Sequence, residues 1–340
     1  VLIGAGSAIA QPFVAHALAG LDVVGLVDNA RAGTERDGHR VLDDAGLAAL
    51  IAREPRLVGV MCCCSDRAVD HFTALWTAAG AGGRPLLSLF QALRRTPLGE
   101  PASFSDPAAI AALLDRRDRW TGFGDATSRC TYLGLLLHRL TWDRRWIEPR
   151  RLPYKAMYFF TDALEVDSGA VLVDGGAFDG DTVLAYAERT AGRYGHIHAF
   201  EVDPANLPTL HGRLAGLERV SVHAVGLWDG DSTLRLAGGQ GAASSLAAGG
   251  AVEVPVRALD GMGLGTVGFV KLDIEGAEAP ALRGMARTIR RDKPKLALAA
   301  YHEPLDLAAI ADAVAAIRPD YRFALRHHSP IFHDTVLYAA

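Results

Sequence analysis

This sequence has few cysteines, no long apolar runs and no large excess of positive or negative charge. It contains four cysteines, and three of them are adjacent at residues 62–64. Adjacent residues on an extended strand point to alternating faces, so these three thiols cannot all bind one metal ion or pair with one another. We interpret them as small buried residues in a reducing compartment. The formal net charge of -4 predicts no general attraction to nucleic acid or to anionic lipid.

The sequence also has no pattern typical of a membrane-spanning protein. No apolar run reaches the ~18 residues of a membrane span, and no signal peptide is visible. The default expectation is therefore a cytoplasmic protein without a membrane span. Half of the residues are apolar and 22% are charged, which is typical of a globular chain rather than a disordered one. A length of 340 residues favours two domains.

Hydrophobic patterning divides the chain into three regions. Strands and helices alternate over residues 1–98, which predicts a small doubly wound α/β domain, a Rossmann-like accessory domain of the nucleotide-binding type. Residues 99–168 are helical or irregular, and we expect them to form a linker region that packs on the following domain. The alternation resumes over residues 169–340 and predicts a second, larger α/β domain.

Seven strands are predicted in the larger domain, with helices between most of them. They lie near residues 171–174, 196–200, 220–224, 267–273, 295–300, 321–326 and 334–339. The last two are joined by a short turn, so we expect a seven-stranded mixed sheet with an antiparallel strand at its edge. An extra hairpin is predicted from residues 232–236 and 252–256, which flank a Gly/Ala/Ser segment at 238–250.

The most informative stretch is Val-Leu-Val-Asp-Gly-Gly-Ala-Phe-Asp-Gly-Asp-Thr at 171–182. It predicts a strand that ends at Asp174, a tight glycine loop, and a helix that begins near Asp181 and Thr182. Such a loop brings backbone N–H groups against a ligand. The stretch lacks the G-x-x-x-x-G-K-[ST] pattern of a nucleoside triphosphate site. Asp181 and Thr182 can equally be simple helix caps.

A second acid, Glu201, ends the next apolar run, so two carboxylates follow successive strands. This pair suits a cationic or hydroxyl-bearing cofactor better than a pyrophosphate. S-adenosylmethionine (SAM) is both, because its ammonium can meet Asp174 and its ribose diol can meet Glu201. The residues therefore predict SAM as the cofactor, although Glu201 can also be a solvated strand end.

Residues 269–278 read Phe-Val-Lys-Leu-Asp-Ile-Glu-Gly-Ala-Glu and place charges on a buried strand. Because buried charge is costly unless it is paired, we expect Lys271 to neutralise a neighbouring acid. Asp273 lies at the carboxyl end of a central strand, where open α/β sheets bind their ligands. Glu275 and Glu278 fall in the opening turn of a helix, where the helix dipole favours carboxylates.

These motifs resemble the FkbM family of SAM-dependent methyltransferases. The resemblance covers roughly residues 125–340 and implies a Rossmann-like class I methyltransferase domain preceded by a Rossmann-like domain. It also implies methylation of a hydroxyl group on a sugar, a glycan or a natural product. The matching blocks are those at 173–182 and 269–278, together with Ala-Phe-Glu-Val-Asp-Pro at 199–204, Ala-Val-Gly-Leu-Trp-Asp at 224–229, Tyr-His-Glu-Pro-Leu-Asp-Leu at 301–307 and Leu-Arg-His-His at 325–328.

The resemblance also implies which residues bind the cofactor. Glu201, next to Val202, would hold the ribose, and the block at 224–229 would approach the adenine. Gly226 stands in that block where the family commonly has alanine. The predicted cofactor-binding residues are Asp174, Gly175, Gly176, Ala177, Phe178, Asp179 and Thr182 around the methionine part, Glu201 and Val202 at the ribose, and Leu227, Trp228 and Asp229 at the adenine.

Methyl transfer to an alcohol needs proximity and a general base. Asp273 is the first candidate for the base, and His302, at the end of the predicted strand 295–300, is the second. His327 and His328 are weaker candidates. We predict no metal ion, with the alternative that Asp273, His302 and Glu303 hold a divalent cation that acidifies the hydroxyl.

Two other functions stay open at this point. Gly4, Gly6 and Asp28 resemble a nicotinamide dinucleotide fingerprint without its third glycine, so an NAD-dependent oxidoreductase is one alternative. A nucleotide-sensing module with a vestigial SAM site is the other. The expected partner is a small-molecule or glycan acceptor and no nucleic acid, and a homodimer is possible.

Overall fold

A computed structural model of the protein describes residues 1–63, 65–94, 96, 102–116, 123–237, 245–246 and 252–340. Cys64 and most of the predicted Gly/Ala/Ser segment at 238–250 lie outside the described residues. No helix within these ranges is long and apolar enough to cross a membrane. Cys62 is buried and Cys63 is partly buried.

The chain divides into two compact units, and each is built from several separate stretches of sequence. The first comprises Val1–Ile110, Leu133–Arg151 and Ser329–Phe332. The second comprises Ala111–Tyr132, Leu152–His328 and His333–Ala340. The boundaries expected from the sequence, after residues 98 and 168, stay predictions.

The first unit contains a six-stranded sheet with the strand order β3-β4-β2-β1-β5-β6. All neighbours pair in parallel except β3 and β4, which form a hairpin. The strands are β1 (Leu2–Ile3), β2 (Leu26–Val27), β3 (Glu35–Arg36), β4 (His39–Leu42), β5 (Gly59–Met61) and β6 (Leu86–Ser88). The helices are α1 (Gln11–Gly20), α2 (Asp44–Arg53), α3 (Asp66–Trp76), α4 (Leu89–Leu93) and α5 (Ala102–Ser105).

The hairpin of β3 and β4 was not expected from the sequence. Its turn is Asp37-Gly38, with φ angles of 51° and 76°. Two successive positive φ angles are the requirement of the type I′ turn, and Asp-Gly is a favoured pair for it. β3 is charged and exposed or half-buried, and β4 has only two apolar residues, Val41 and Leu42, so the hairpin carries little of the hydrophobic signal that marked the other strands.

Two helices, α6 (Pro107–Asp115) and α7 (Ala126–Thr141), are divided between the units. Both lie within residues 99–168, the region that the sequence predicts to be helical or irregular. Residues 117–122, between the two helices, lie outside the described residues.

The second unit contains the seven-stranded mixed sheet that the sequence predicts, in the order β16-β17-β15-β14-β7-β8-β9. Each predicted strand is found to within two residues at either end. The strands are β7 (Leu172–Gly175), β8 (Ile197–Phe200), β9 (Val220–His223), β14 (Phe269–Leu272), β15 (Lys295–Ala299), β16 (Phe323–His327) and β17 (Thr335–Ala339). The helices are α8 (Asp181–Arg189), α9 (Leu207–Leu214), α10 (Glu278–Gly284), α11 (Ala286–Asp292) and α12 (Asp306–Ile317).

The position of the antiparallel strand differs from the expectation. β17 does not lie at the edge of the sheet but between β15 and β16, and it is antiparallel to both. All five of its residues, Thr-Val-Leu-Tyr-Ala, are buried. A strand that is apolar and buried throughout is stable with partners on both sides, whereas an edge strand keeps one row of backbone groups unpaired.

The extra hairpin is confirmed as part of a small four-stranded sheet with the order β10-β13-β11-β12. β11 (Ser232–Ala237) and β13 (Val252–Arg257) pair in antiparallel fashion, from Ser232 opposite Val256 to Leu236 opposite Val252. The other two strands are β10 (Gly226–Leu227) and β12 (Ser245–Leu246).

An aromatic cluster fixes the segment 153–160 to the second unit. The ring of Phe159 lies 5.1 Å from that of Tyr186 and 5.3 Å from that of Phe269, in edge contacts. Backbone groups add to this anchoring, since the Tyr158 N–H donates to the Tyr338 hydroxyl at 3.0 Å. Edge contacts between aromatic rings add stability beyond the area that they bury. The segment is therefore held firmly where it borders the cavity described next.

Candidate active site

A cavity of about 850 Å³ opens in the second unit at the carboxyl ends of β7, β8 and β14. This volume falls within the range of roughly 300–1,000 Å³ that is typical of small-molecule sites. Open α/β sheets bind ligands at this end of their strands. The carboxylates that line the cavity outnumber the cationic side chains: they are Asp181, Glu188, Glu201, Asp273, Glu275 and Asp334, against Lys155 and Lys271.

The glycine loop forms one wall of the cavity. Gly176 has a φ of +76°, and a Cβ atom there would lie 1.9 Å from the carbonyl oxygen of Asp273. Only glycine fits this position, because both the conformation and the close approach exclude a side chain. Phe178, two residues on, has a φ of 46° despite its side chain. A positive φ is uncommon in a non-glycine residue, and strained backbone of this kind clusters at functional sites.

The buried side chain of Lys271 holds the glycine loop in place. Its ammonium group donates to the carbonyl oxygens of Gly175 at 3.1 Å and Gly176 at 2.7 Å. It also pairs with the Asp174 carboxylate at 3.0 Å, and both side chains are almost completely buried. The expectation that Lys271 neutralises a neighbouring acid is thus confirmed. Burial raises the pKa of Asp174 to about 6 against the opposing effect of Lys271, so the pair is ionised at neutral pH.

Glu201 joins the loop to the end of β8. One carboxylate oxygen accepts the Phe178 N–H at 2.7 Å, and the other accepts the Asp203 N–H at 2.8 Å. The Asn206 amide adds a third contact at 3.3 Å. A carboxylate offers about four lone-pair sites, so Glu201 can accept further hydrogen bonds from a ligand in the cavity that it lines.

Asp273 follows β14 and is held by two phenols. The Tyr158 hydroxyl donates to one oxygen at 2.7 Å, and the Tyr301 hydroxyl donates to the other at 3.0 Å. The His302 Nε2 lies 3.3 Å from Asp273 Oδ1. Burial would raise the pKa of Asp273, but His302, Lys271 and the Tyr158 hydroxyl together hold that pKa well below its usual range. Asp273 is therefore a carboxylate with its oxygens fixed in direction.

His302 lies between carboxylates on both sides of its ring. Its Nδ1 is 3.0 Å from Glu278 Oε1, and its Nε2 is 3.7 Å from Glu275 Oε2. Burial would lower the pKa of His302, but its contacts with Asp273 and Glu278 raise it to about 11. Glu278 is fully buried, and its Oε1 accepts the N–H of Ile274 at 2.9 Å. Glu275 adds a positive φ of 56° to this group.

The structure brings together many of the residues that the sequence predicted for the site, but not all of them. It places His302 beside Asp273 and behind the cavity wall. Trp228 is half-buried, and Asp229 pairs on the surface with Arg283 at 3.1 Å. The predicted residues that line the cavity are Gly175, Gly176, Phe178, Thr182, Glu201, Val202, Leu227 and Asp273. Those that do not line it are Asp174, Ala177, Asp179, Trp228, Asp229 and His302.

The weaker histidine candidates contact groups outside the cavity. His327 Nδ1 lies 2.9 Å from the Thr335 hydroxyl, and His328 Nδ1 lies 3.3 Å from the Pro153 carbonyl oxygen. Both rings are buried and neither lines the cavity. Glu303, the third member of the metal alternative, is exposed.

Sequence reasoning missed three groups at this site. Tyr158 and Tyr301 hold Asp273, and Glu278 holds His302. A signal for Tyr301 was present, since it opens the block Tyr-His-Glu-Pro, and Tyr158 lies in a segment rich in aromatic residues. The link between them needs the fold, because Tyr158 and Asp273 are 115 residues apart in the chain.

With this geometry in view, residues 174–322 match the family model of the methyltransferase FkbM domain. The family that this part of the chain matches is the FkbM methyltransferases. The match begins at Asp174 and includes the glycine loop, Glu201, Asp273 and His302. The resemblance that the sequence motifs predicted is confirmed.

A solved structure extends the similarity of the FkbM domain to the whole chain. The crystal structure of the methyltransferase FkbM from Methylobacillus flagellatus KT is 25% identical, with a TM-score of 0.73. The alignment covers 100% of this chain and 89% of that one. The precorrin-6y C5,15-methyltransferase from Geobacter metallireducens GS-15 is 15% identical, with a TM-score of 0.34 and coverage of 52% and 82%. No curated protein matches the chain.

Proposed function

We propose that the protein is a SAM-dependent O-methyltransferase that acts on a hydroxyl group of a sugar, glycan or natural-product acceptor. The observation that carries this proposal is the excess of carboxylates around the cavity beside the glycine loop. SAM carries a sulfonium and an ammonium group, and both are stabilised by nearby negative charge. A nicotinamide dinucleotide would bring a pyrophosphate to the same carboxylates and be repelled.

Residues on different walls of the cavity suit different parts of the SAM molecule. Glu201 has lone pairs to accept hydrogen bonds from the two ribose hydroxyls. Val202, Leu227 and Phe178 offer apolar surface for the adenine. Asp174 is buried against Lys271 and does not line the cavity, so we assign it a role through Lys271 and the loop carbonyls. This differs from the expectation of a direct contact with the ammonium group.

Asp273 is the group that we assign to the acceptor hydroxyl. When bound, SAM supplies a methyl group on a sulfonium, whose leaving group is a neutral thioether. Asp273 lines the cavity, accepts the hydrogen bond of the hydroxyl, orients its oxygen and receives its proton. Tyr158 and Tyr301 keep the carboxylate from rotating. His302 lies behind Asp273 rather than on the cavity, which favours Asp273 of the two candidate bases.

The acceptor class is supported by the outer part of the cavity. Tyr154 and Phe160 line it with half-exposed rings, 49% and 44% exposed. Aromatic rings offer flat apolar surface to the faces of sugar rings, and their neighbours Glu188 and Asp334 offer hydrogen-bond acceptors to hydroxyls. The same carboxylates disfavour anionic acceptors. A cytoplasmic location, a homodimer and an accessory role for residues 1–98 stay predictions.

Calorimetry tests the cofactor. We expect the purified protein to bind SAM and not NAD at the same site. Glu201→Gln keeps the shape of the side chain but weakens its acceptance of hydrogen bonds, so we expect SAM affinity to fall about tenfold or more. Glu253→Gln, on the exposed face of β13, is the matched control and leaves affinity unchanged. Unaltered binding by Glu201→Gln would remove Glu201 from the proposed site.

Turnover tests the role of Asp273. Asp273→Asn cannot accept the proton, so we expect methyl transfer to fall by about 10² or more while SAM affinity changes little. The assay follows the transfer of labelled methyl from SAM to a panel of neutral sugars and polyols. Near-normal turnover by the variant would exclude Asp273 from the mechanism.

A further inference from the structure

Three ligand-type side chains converge behind the cavity floor. Asp273, Glu278 and His302 each offer one ligand atom, and these atoms all lie within 4.8 Å of one another. They come from the end of β14, the start of α10 and the end of β15, so three separate elements fix the group. Ligands of one divalent ion, bound at about 2.1 Å, are separated by about 3 Å when adjacent and about 4 Å when opposite.

Each carboxylate approaches the His302 ring to within the separation of adjacent ligands, but at a different ring nitrogen. The His302 ring nitrogens lie 3.0 Å from Glu278 and 3.3 Å from Asp273. A histidine that binds a metal usually coordinates through one nitrogen and donates the other N–H to a carboxylate. His302 can therefore bind an ion through Nε2, beside Asp273, while Nδ1 donates to Glu278 Oε1, which leaves the other oxygen of Glu278, Oε2, for the ion. Each oxygen of Asp273 also keeps lone pairs beyond those that accept the two phenols.

Polar atoms without a normal partner point to a missing ligand at the same place. Within the described part of the chain, the Oε2 of Glu278 is buried without a hydrogen bond, and the ring nitrogens of His302 have carboxylate oxygens as neighbours but no hydrogen bond of normal geometry. The side chains of Glu278 and His302 are only 1% and 8% exposed. Buried polar atoms that stay unsatisfied are costly, and a bound ion or water would satisfy them.

We propose that Asp273, Glu278 and His302 form a binding site for a divalent transition-metal cation such as Mn²⁺. Two carboxylates and an imidazole suit a first-row cation, whereas Mg²⁺ and Ca²⁺ prefer oxygen ligands alone. The set replaces the alternative drawn from the sequence, because Glu278 rather than Glu303 completes it. Asp273 connects the site to the cavity, so a cation held there would polarise an acceptor hydroxyl. That role, unlike the binding itself, rests on the proposed function.

Titration of the full chain with Mn²⁺ in the absence of SAM tests the site. Paramagnetic resonance of free Mn²⁺ reports the stoichiometry, and we expect one ion per chain. Glu278→Gln and His302→Gln each remove a ligand, so we expect both to weaken binding about tenfold or more. Glu303→Gln changes the exposed acid next to His302 and is the matched control, with binding as in the unaltered protein.

Two further measurements distinguish the loss of a ligand from the loss of the fold. Thermal unfolding without metal shows whether each variant is folded, and Mn²⁺ is expected to raise the Tm of the unaltered protein and of Glu303→Gln more than that of either ligand variant. Absence of Mn²⁺ binding by the unaltered protein, or binding that both ligand variants retain, would overturn the proposal. A failure of SAM to bind would refute the proposed function and leave this result standing.

Discussion

The buried pair of Lys271 and Asp174 offers a quantitative test of how the glycine loop is held. Lys271→Met removes the ammonium but keeps a chain of similar length. At an effective dielectric constant of about 20, two charges 3.0 Å apart attract by about 5 kcal/mol, and desolvation offsets much of this. Removing one partner of a buried pair nevertheless costs about 3–5 kcal/mol, because the other charge stays buried alone. We expect Lys271→Met to lose about that much unfolding free energy at pH 7.

The pH dependence of that loss has a definite sign. Asp174 already has a pKa raised to about 6 by burial, and without Lys271 the pKa rises further. When an acid has a higher pKa in the folded protein than in the unfolded chain, its contribution to stability is present at low pH and is lost as the pH rises. The variant should therefore be least stable above pH 7 and recover towards pH 5, where Asp174 takes up a proton.

A double-variant cycle provides the measurement and its control. Urea unfolding followed by circular dichroism gives the free energy for Lys271→Met, Asp174→Asn and the two combined. The combined variant buries no charge, so we expect it to be at least about 2 kcal/mol more stable than Lys271→Met. A cost of Lys271→Met below about 1 kcal/mol, or a combined variant no better than the single one, would refute the reasoning.

Two further predictions concern the loop and the first unit. Gly176→Ala forces a Cβ atom against the Asp273 carbonyl in a left-handed conformation, so it should lower the free energy of unfolding by at least about 2 kcal/mol. Gly212→Ala in α9 is the control, because open space surrounds Gly212 and the change should be neutral or stabilising. Equal effects of the two variants in urea unfolding would contradict this prediction. Burial lowers the pKa of His138 to about 4, so the folded protein binds fewer protons than the unfolded chain between pH 6.5 and 4. The stability due to a neutral His138 is thus present above pH 6.5 and falls by about 1.4 kcal/mol per pH unit below it. His138→Gln should flatten that part of the curve, and an unchanged slope would contradict the burial argument.

Sequence periodicity recovered the sheet of the second unit because most of its strands are buried and rich in apolar residues. The order of the last two strands was not recoverable in the same way. A short turn between residues 327 and 335 predicts that β16 and β17 pair, but not which of them also pairs with β15. The hairpin around Asp37-Gly38 has a turn sequence but no clear pattern of apolar residues, so hydrophobic patterning does not predict it.

The sequence predicted those site residues whose place in the site follows from their position at the end of a strand. The glycine loop, Glu201 and Asp273 each follow a strand, and position alone brings them to the same edge of the sheet. The role of Asp174 was less accessible, since whether an acid at a strand end faces the cavity or a buried lysine depends on the side-chain direction. The phenol of Tyr158 meets Asp273 only through the packing of residues 153–160.

Because each unit is assembled from separate stretches of chain, the protein resists dissection at a single point. A fragment that starts at residue 169 would keep the glycine loop and the whole seven-stranded sheet. It would lack the stretch 152–168 and with it the phenol of Tyr158 that donates to Asp273. Expression of the catalytic half by itself therefore calls for a start no later than about residue 111, and even that fragment would carry along the stretches 133–151 and 329–332 of the other unit.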